Sequence, residues 1–292
     1  MVFGIRGNIT KAELPGIVKG IIHSMDKQKI AYVIDKKLAS VIYKKYGKKI
    51  SPKSVAADAR LPSLSDFIVS IGGDGTFLET AKLVGNKNIP IIGVNLGKLG
   101  FLAEASVEKI SDFITDVTHG KYKIEERTTI SANSAAAGSK LIYGLNEIVI
   151  NQTTIVKTIL IEIYFNKQLV FSYHGDGLIV ATPTGSTGYS LSAGGPIVNP
   201  DSNVIIISPL SPHTLTARPI IVPDNGSISV KVKSKVPIIV TADGNSSFIL
   251  KNPAAIEIKK APYKIKIAKS IDSNYFKILN QKLYWGADKR NT

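Results

Sequence analysis

The chain contains no cysteine. That excludes disulfides, thiolate metal sites and a cysteine nucleophile, and it fits a cytoplasmic protein. Long apolar runs are also missing, none approaching the roughly 18 residues of a membrane span. The first residues, Met1-Val2-Phe3-Gly4-Ile5-Arg6-Gly7, make a short strand-like run without the layout of a signal peptide. His23, His119, His174 and His213 are scattered, with no pair at ligand spacing, which argues against a structural zinc site. Acidic residues are scarce beside basic ones: 22 Asp and Glu against 37 Lys and Arg, a formal net charge of +15. Such an excess points either to an anionic partner (nucleotide, polyphosphate or nucleic acid) or to a lysine-rich surface set by solubility. No arginine-rich block or aromatic RNA-binding signature accompanies it, which argues against a dedicated nucleic-acid reader.

What remains is an ordinary globular composition, 44% hydrophobic and 20% charged over 292 residues, long enough for two domains with real cores. The first hundred residues alternate strand-like and helix-like segments. Strands are predicted at 2–6, 30–34, 67–71 and 89–94, and helices at 12–25, 36–46, 76–84 and 106–118, with a polar connection over 51–65. Alternation of this kind implies a parallel sheet covered by helices, a Rossmann-like α/β domain whose ligands bind at the carboxyl ends of the strands. After Gly120 the pattern changes to many short strand-like runs between Gly, Pro, Asn and Asp, an all-β second domain. These runs are 122–131, 141–151, 156–165, 169–173, 178–181, 204–207, 227–232, 238–241, 255–258 and 263–267. A helix over 273–285 closes the chain, its Tyr275, Phe276, Ile278, Leu279 and Trp285 implying that it docks back on the first domain. The expected divisions are 1–120, 121–270 and 271–292.

Six segments carry the chemistry. Gly72-Gly73-Asp74-Gly75-Thr76 joins a buried strand to a helix, where glycines expose main-chain N–H groups to a phosphate. Asp74 among them needs a reason: it holds a turn, or it acts on a hydroxyl or metal beside the phosphates. The Lys-Ser/Thr ending of a P-loop is absent. Gly93 to Leu102 forms a second glycine-rich exit from a strand. Asn146-Glu147 is either a turn pair or an amide and a carboxylate that bond an adenine edge and ribose hydroxyls. From His174 to Pro196, glycines and hydroxyls crowd together, small enough for a planar ligand to lie against backbone. Pro209 to Val222 and Asp243-Gly244-Asn245 read as loops, His213 as a structural histidine.

The order of these segments resembles the NAD kinase family, over roughly residues 66 to 245. The run TPTGSTGYSLSAGGP carries the resemblance most specifically, while lipid kinases and phosphofructokinases share only the glycine–aspartate turn. The resemblance implies transfer of a phosphoryl group from ATP or polyphosphate to the 2′-hydroxyl of the adenosine ribose of NAD, giving NADP. Mg²⁺ would bridge the donor's phosphates, with no metal-ligating residue assigned in the chain. It implies Asp74 as general base and Gly72, Gly73 and Gly75 as the phosphate-binding turn. Asn146 and Glu147 would hold the adenosine end of NAD. His174 and Asp176 match positions that contact NAD, and Thr187, Gly188, Tyr189 and Ser192 match the adenine-facing segment. Lys157 and Asn245 complete the set. Many relatives have Ala where Gly188 stands and Arg or Lys where His174 stands. Exposed sheet edges in the second domain imply a homodimer or homotetramer. No nucleic acid and no membrane are expected as partners. Two other readings stand beside this one, a lipid or small-alcohol kinase and a non-catalytic dinucleotide sensor.

Overall fold

The computed structural model describes residues 1–97, 100–138, 140–154 and 158–283. The chain forms two units, Met1–Glu126 with Ile265–Thr292 and Arg127–Lys264. Lys157 and Trp285 lie outside the described residues.

The first unit is built from β1 (Val2–Gly7), α1 (Leu14–Gln28), β2 (Ala31–Asp35), α2 (Lys36–Tyr46), β3 (Val55–Ala56), β4 (Phe67–Gly72), α3 (Asp74–Val84), β5 (Ile91–Asn95), β6 (Ala105–Ser106) and α4 (Ile110–Thr118). The sheet order is β3-β2-β1-β4-β5, every pairing parallel. Parallel strands require crossovers, and α1, α2 and α3 supply them. β4 is buried along its whole length, as expected for a central strand covered on both faces. The Asp35 carboxylate accepts the Leu38 N–H at 3.1 Å, capping α2 at the residue where β2 ends. Phe3, Ile5, Val18, Ile22, Ile34, Leu38, Val69, Ile92 and Ile114 meet in the core.

The second unit follows, with β7 (Lys123–Asn133), β8 (Ile142–Gly144), β9 (Glu147–Gln152), β10 (Ile159–Phe165), β11 (Gln168–Gly175), β12 (Gly177–Ala181), α5 (Tyr189–Ser192), β13 (Val204–Leu210), β14 (Ile220–Pro223), β15 (Ser227–Lys233), β16 (Ile238–Ala242) and β17 (Ser246–Leu250). β18 (Ala254–Lys269) and α6 (Tyr275–Leu283) end the described chain. One antiparallel sheet runs β14-β13-β12-β9-β16-β17, another β11-β10-β15-β18. Ile148, Ile150, Val180, Ile207 and Val240 of the first face Ile161, Ile163, Val230 and Ile256 of the second in one core. β15 shows the pattern that makes this possible: Ile228, Val230 and Val232 are buried, while the residues between them are less so.

Sequence and structure differ in several places, one being β3, a short strand inside the expected polar connection over 51–65. The expected strand over 141–151 is broken in two, between Gly144 and Glu147. The two expected strands over 255–267 are one, Ala254–Lys269, because Lys259, Lys260 and Pro262 interrupt the apolar pattern without ending the strand. β14 and β17, rich in exposed residues, carry too weak a periodicity to be read. The helix expected from residue 106 starts at Ile110, and the two residues Ala105–Ser106 pair with β5 instead.

Candidate active site

In the first unit, β4 ends at Gly72 and α3 begins at Asp74. Gly73 supplies the extended residue between them, and a side chain added at Gly73 or Gly75 would enter open space. The face of the turn is therefore clear for a ligand, and the free N–H groups of the first helical turn favour an anion there.

Asp74 does more than sit among glycines. Its Oδ2 accepts the Phe101 N–H at 3.0 Å, and its Oδ1 accepts the N–H groups of Leu102 and Ala103, both at 3.1 Å. Charge-assisted bonds of this kind fix the carboxylate's rotamer. Gly100 is required for the approach, since a Cβ there would overlap Asp74 Oδ1. Asp74 therefore organises a loop, the first of its two readings, and Oδ2 takes one amide where Oδ1 takes two. Arg6 steadies the helix that carries it: the guanidinium pairs with Asp58, at 2.9 and 3.2 Å, and donates to the Thr80 hydroxyl and the Thr76 carbonyl.

A second carboxylate repeats the device in the other unit. Asp243, just past β16 and in the left-handed region (φ 48°), accepts the N–H groups of Leu145, Asn146 and Glu147 at 2.7, 2.8 and 3.0 Å. This grip breaks the strand before β9. Thr182, just past β12, holds the same corner, its hydroxyl donating to the Leu145 carbonyl at 2.6 Å and its N–H to the Asn146 carbonyl at 2.8 Å. Gly188 lies against the two side chains so presented. A Cβ on it would stand 3.2 Å from Glu147 Oε2 and 3.5 Å from Asn146 Nδ2.

Asn146 Oδ1 and Glu147 Oε2 are buried without a hydrogen-bond partner. Left dry, each such atom costs about 1–3 kcal/mol, so a donor from water or from a ligand would be favoured here. Burial, then the neighbouring charge of Asp243, pushes the Glu147 carboxyl up to about 7, against the pull of the Tyr189 N–H. Burial also raises Asp243, opposed by its three amides.

The other expected residues divide. Gly188 and the Tyr189 main chain join Asn146 and Glu147, whereas the Tyr189 and Ser192 side chains are exposed. Thr187 lies in the same short turn, its hydroxyl bonded to the Thr184 carbonyl at 3.3 Å. Asn245 follows the Asp243-Gly244 turn, its N–H on the Ala242 carbonyl at 2.9 Å. His174 and Asp176 stand elsewhere. Glu147 pairs with Ala181 at one end of β12 and Asn151 with Gly177 at the other, so Asp176 lies roughly 17 Å along the strands from Glu147. His174 is exposed on β11 beside a cavity of about 690 Å³, which His213 and Arg218 also line. His213 donates its N–H to the His174 carbonyl at 2.7 Å.

Sequence reasoning missed Asp243 as an organiser, as well as Gly100 and Arg6. Asp-Gly at the end of an apolar run was the available signal for the first. The glycine-rich run from Gly93 to Leu102 held Gly100 but not its place beside Asp74, and nothing local marks Arg6.

Residues 21–122 match the model of the ATP-NAD kinase N-terminal domain, and residues 145–270 that of the ATP-NAD kinase C-terminal domain. An NAD kinase of Flavobacterium psychrophilum is 36% identical over the whole length of both chains. The chain belongs to the NAD kinase family. An NAD kinase of Bacteroides fragilis is 42% identical over 77% of this chain and 78% of its own. Among solved structures, an NAD kinase from Archaeoglobus fulgidus in complex with ATP superposes with a TM-score of 0.76 at 26% identity, over 96% of this chain and 98% of that one. Yeast NADH kinase complexed with NADH reaches a TM-score of 0.90, over all of this chain and 90% of that one, and at 23% identity it speaks to the fold alone. The α/β sheet followed by antiparallel β-sheets is thus the NAD kinase fold. No helix among the described residues is long and apolar enough to cross a membrane.

Proposed function

We propose that the chain transfers the terminal phosphoryl group of ATP or polyphosphate to the 2′-hydroxyl of the adenosine ribose of NAD, producing NADP. Family membership supplies the reaction, and one observation supports placing the dinucleotide here: the unpartnered pair Asn146 Oδ1 and Glu147 Oε2 beside Gly188. An adenosine offers what these atoms lack, an exocyclic amine as donor to the amide oxygen and ribose hydroxyls as donors to the carboxylate.

Asp74 is the general base. As the ribose oxygen bonds to phosphorus and the bridging bond of the donor breaks, the hydroxyl proton passes to Oδ2. The transition state is loose, so the weight of catalysis falls on positioning and charge neutralisation. The three amides on Asp74 supply the positioning. No cluster of three or more His, Asp or Glu among the described residues could hold a metal ion, so Mg²⁺ would come with the donor's phosphates and would supply charge neutralisation there. The open face at Gly73 and Gly75 receives those phosphates. His174 and Asp176 contact the dinucleotide away from its adenine end, Thr187, Tyr189 and Ser192 border the adenine, and Lys157 and Asn245 complete the contacts. The enzyme works in the cytoplasm as a homo-oligomer.

The test is incubation of the purified protein with NAD and Mg²⁺ and, in parallel, ATP, other nucleoside triphosphates or polyphosphate, with NADP detected. NADP from at least one donor is expected. Its absence with every donor, while NAD binds, would establish the sensor reading, and transfer to diacylglycerol instead would establish the lipid kinase.

A further inference from the structure

The end of the chain holds the Asp74 loop from both sides. The Lys282 ammonium, on α6, stands 3.8 Å from Asp74 Oδ2 and 4.7 Å from the centre of the Phe101 ring. Phe101 is the residue whose N–H bonds that same Oδ2. Carboxylate, amide, ring and ammonium therefore close a circuit around the oxygen assigned to the proton. Three residues on, the grip repeats. Lys269, buried at the end of β18, places its ammonium 3.0 Å from Glu104 and 3.2 Å from Glu125. Ser273 adds a hydroxyl to Glu104 at 2.9 Å. The three amides that fix Asp74, those of residues 101 to 103, lie between the two attachments. Alongside them is a cavity of about 560 Å³, lined by Leu102, Glu104, Lys269, Ser273 and Lys277.

We propose that Lys282 is a positioning residue for phosphoryl transfer, acting through Asp74: with Lys269 it makes the C-terminal segment the brace that holds the loop's amides on the catalytic carboxylate. The inference rests on Asp74 being the base. A part-exposed ion pair contributes little to stability, whatever its effect on geometry. Misplacement of a reacting group by an ångström, by contrast, costs as much as 10²-fold in rate. The signature of Lys282 is therefore kinetic.

The test is a double-mutant cycle on the full chain. Lys282→Met is expected to lower kcat about 5- to 30-fold, with KM for NAD within about twofold and the unfolding temperature nearly unchanged. Lys282→Arg, which keeps charge and ring contact, is expected to restore most of the rate. In an Asp74→Asn background Lys282→Met should add less than about twofold, because residues acting as a unit are non-additive. Full additivity, or Lys282→Met with normal kcat, or a rate loss that tracks a lowered unfolding temperature, would overturn the proposal. The Asp74→Asn variant alone separates the two ideas. If it turns over normally, the base assignment fails; if it is slow and the cycle is additive, only the brace fails.

Discussion

Asp243 Oδ1 accepts the Glu147 N–H at 3.0 Å, and the charge on Asp243 helps to push the Glu147 carboxyl toward neutrality. One side chain thus shapes the corner on which the proposed adenosine-binding residues stand and tunes one of them. Asp74 performs the first of these tasks in the other unit, where a carboxylate just after a glycine turn also gathers three consecutive amides of a distant loop. In both, the carboxylate and its amides are far apart in sequence, so the site forms only when the fold does.

Replacing Asp74 by Asn is expected to lower turnover about 10²- to 10⁴-fold, the worth of a positioned general base. KM for NAD should move by less than about threefold, because the amide keeps one acceptor for Leu102 and Ala103. Steady-state rates of NADP formation decide it. Near-normal turnover would reduce Asp74 to a loop anchor.

Gly100 offers a test of the same carboxylate that leaves it in the sequence. A Cβ at this position would overlap Asp74 Oδ1 and stand 3.0 Å from the Ala103 carbonyl oxygen. Gly100→Ala is therefore expected to lose at least about tenfold in kcat by turning the carboxylate away, with NAD binding retained. A variant with wild-type kcat would mean that the loop's hold on Asp74 does not matter for transfer.

The fold was largely legible because its signals are local. Val2–Gly7, Phe67–Gly72 and Ile91–Asn95 are short apolar runs between helical periods, and such alternation leaves few architectures open. Asp74 and the Asn146-Glu147 pair could be nominated because glycines and a paired amide and acid stand out in sequence. What the sequence hid is long-range. Arg6 reaches Asp58 and α3, Lys282 reaches Asp74, and Asp243 reaches back to Glu147, over separations no window spans. The break before β9 was hidden for the same reason: residues 141–151 are apolar enough for one strand, and a carboxylate from a later turn divides it.

Asp243 sits at φ 48°, a backbone region that Asn and Asp tolerate and most side chains resist. Asp243→Asn keeps both the conformation and an acceptor, so NAD affinity should fall only a few-fold. Asp243→Ala loses the acceptor and leaves three amides without their partner, at about 1–3 kcal/mol for each one left buried and unbonded. NAD affinity, followed by fluorescence or calorimetric titration, should then drop at least about tenfold. Equal affinities for the Asn and Ala variants would show that the corner does not depend on Asp243.

Glu147 makes stability depend on pH in a definite direction. Its folded value is about 7 against an ordinary 4.5, so between these limits the folded protein holds a proton that the unfolded chain has released. The contribution is fully present below the lower value and is lost as pH rises through the upper one, amounting to roughly 3 kcal/mol. Asp243, also raised by burial, acts with the same sign. The unliganded wild type should therefore lose unfolding temperature from pH 5 to pH 8 relative to Glu147→Gln, which cannot titrate. NAD acts against this loss: ribose hydroxyls donate to the ionised carboxylate, so NAD binding should tighten over the same window. Calorimetric scans of both proteins, with and without NAD, carry the test. Parallel pH profiles for wild type and Glu147→Gln would mean that the carboxyl is not the buried, unpartnered group on which the proposed adenosine site depends.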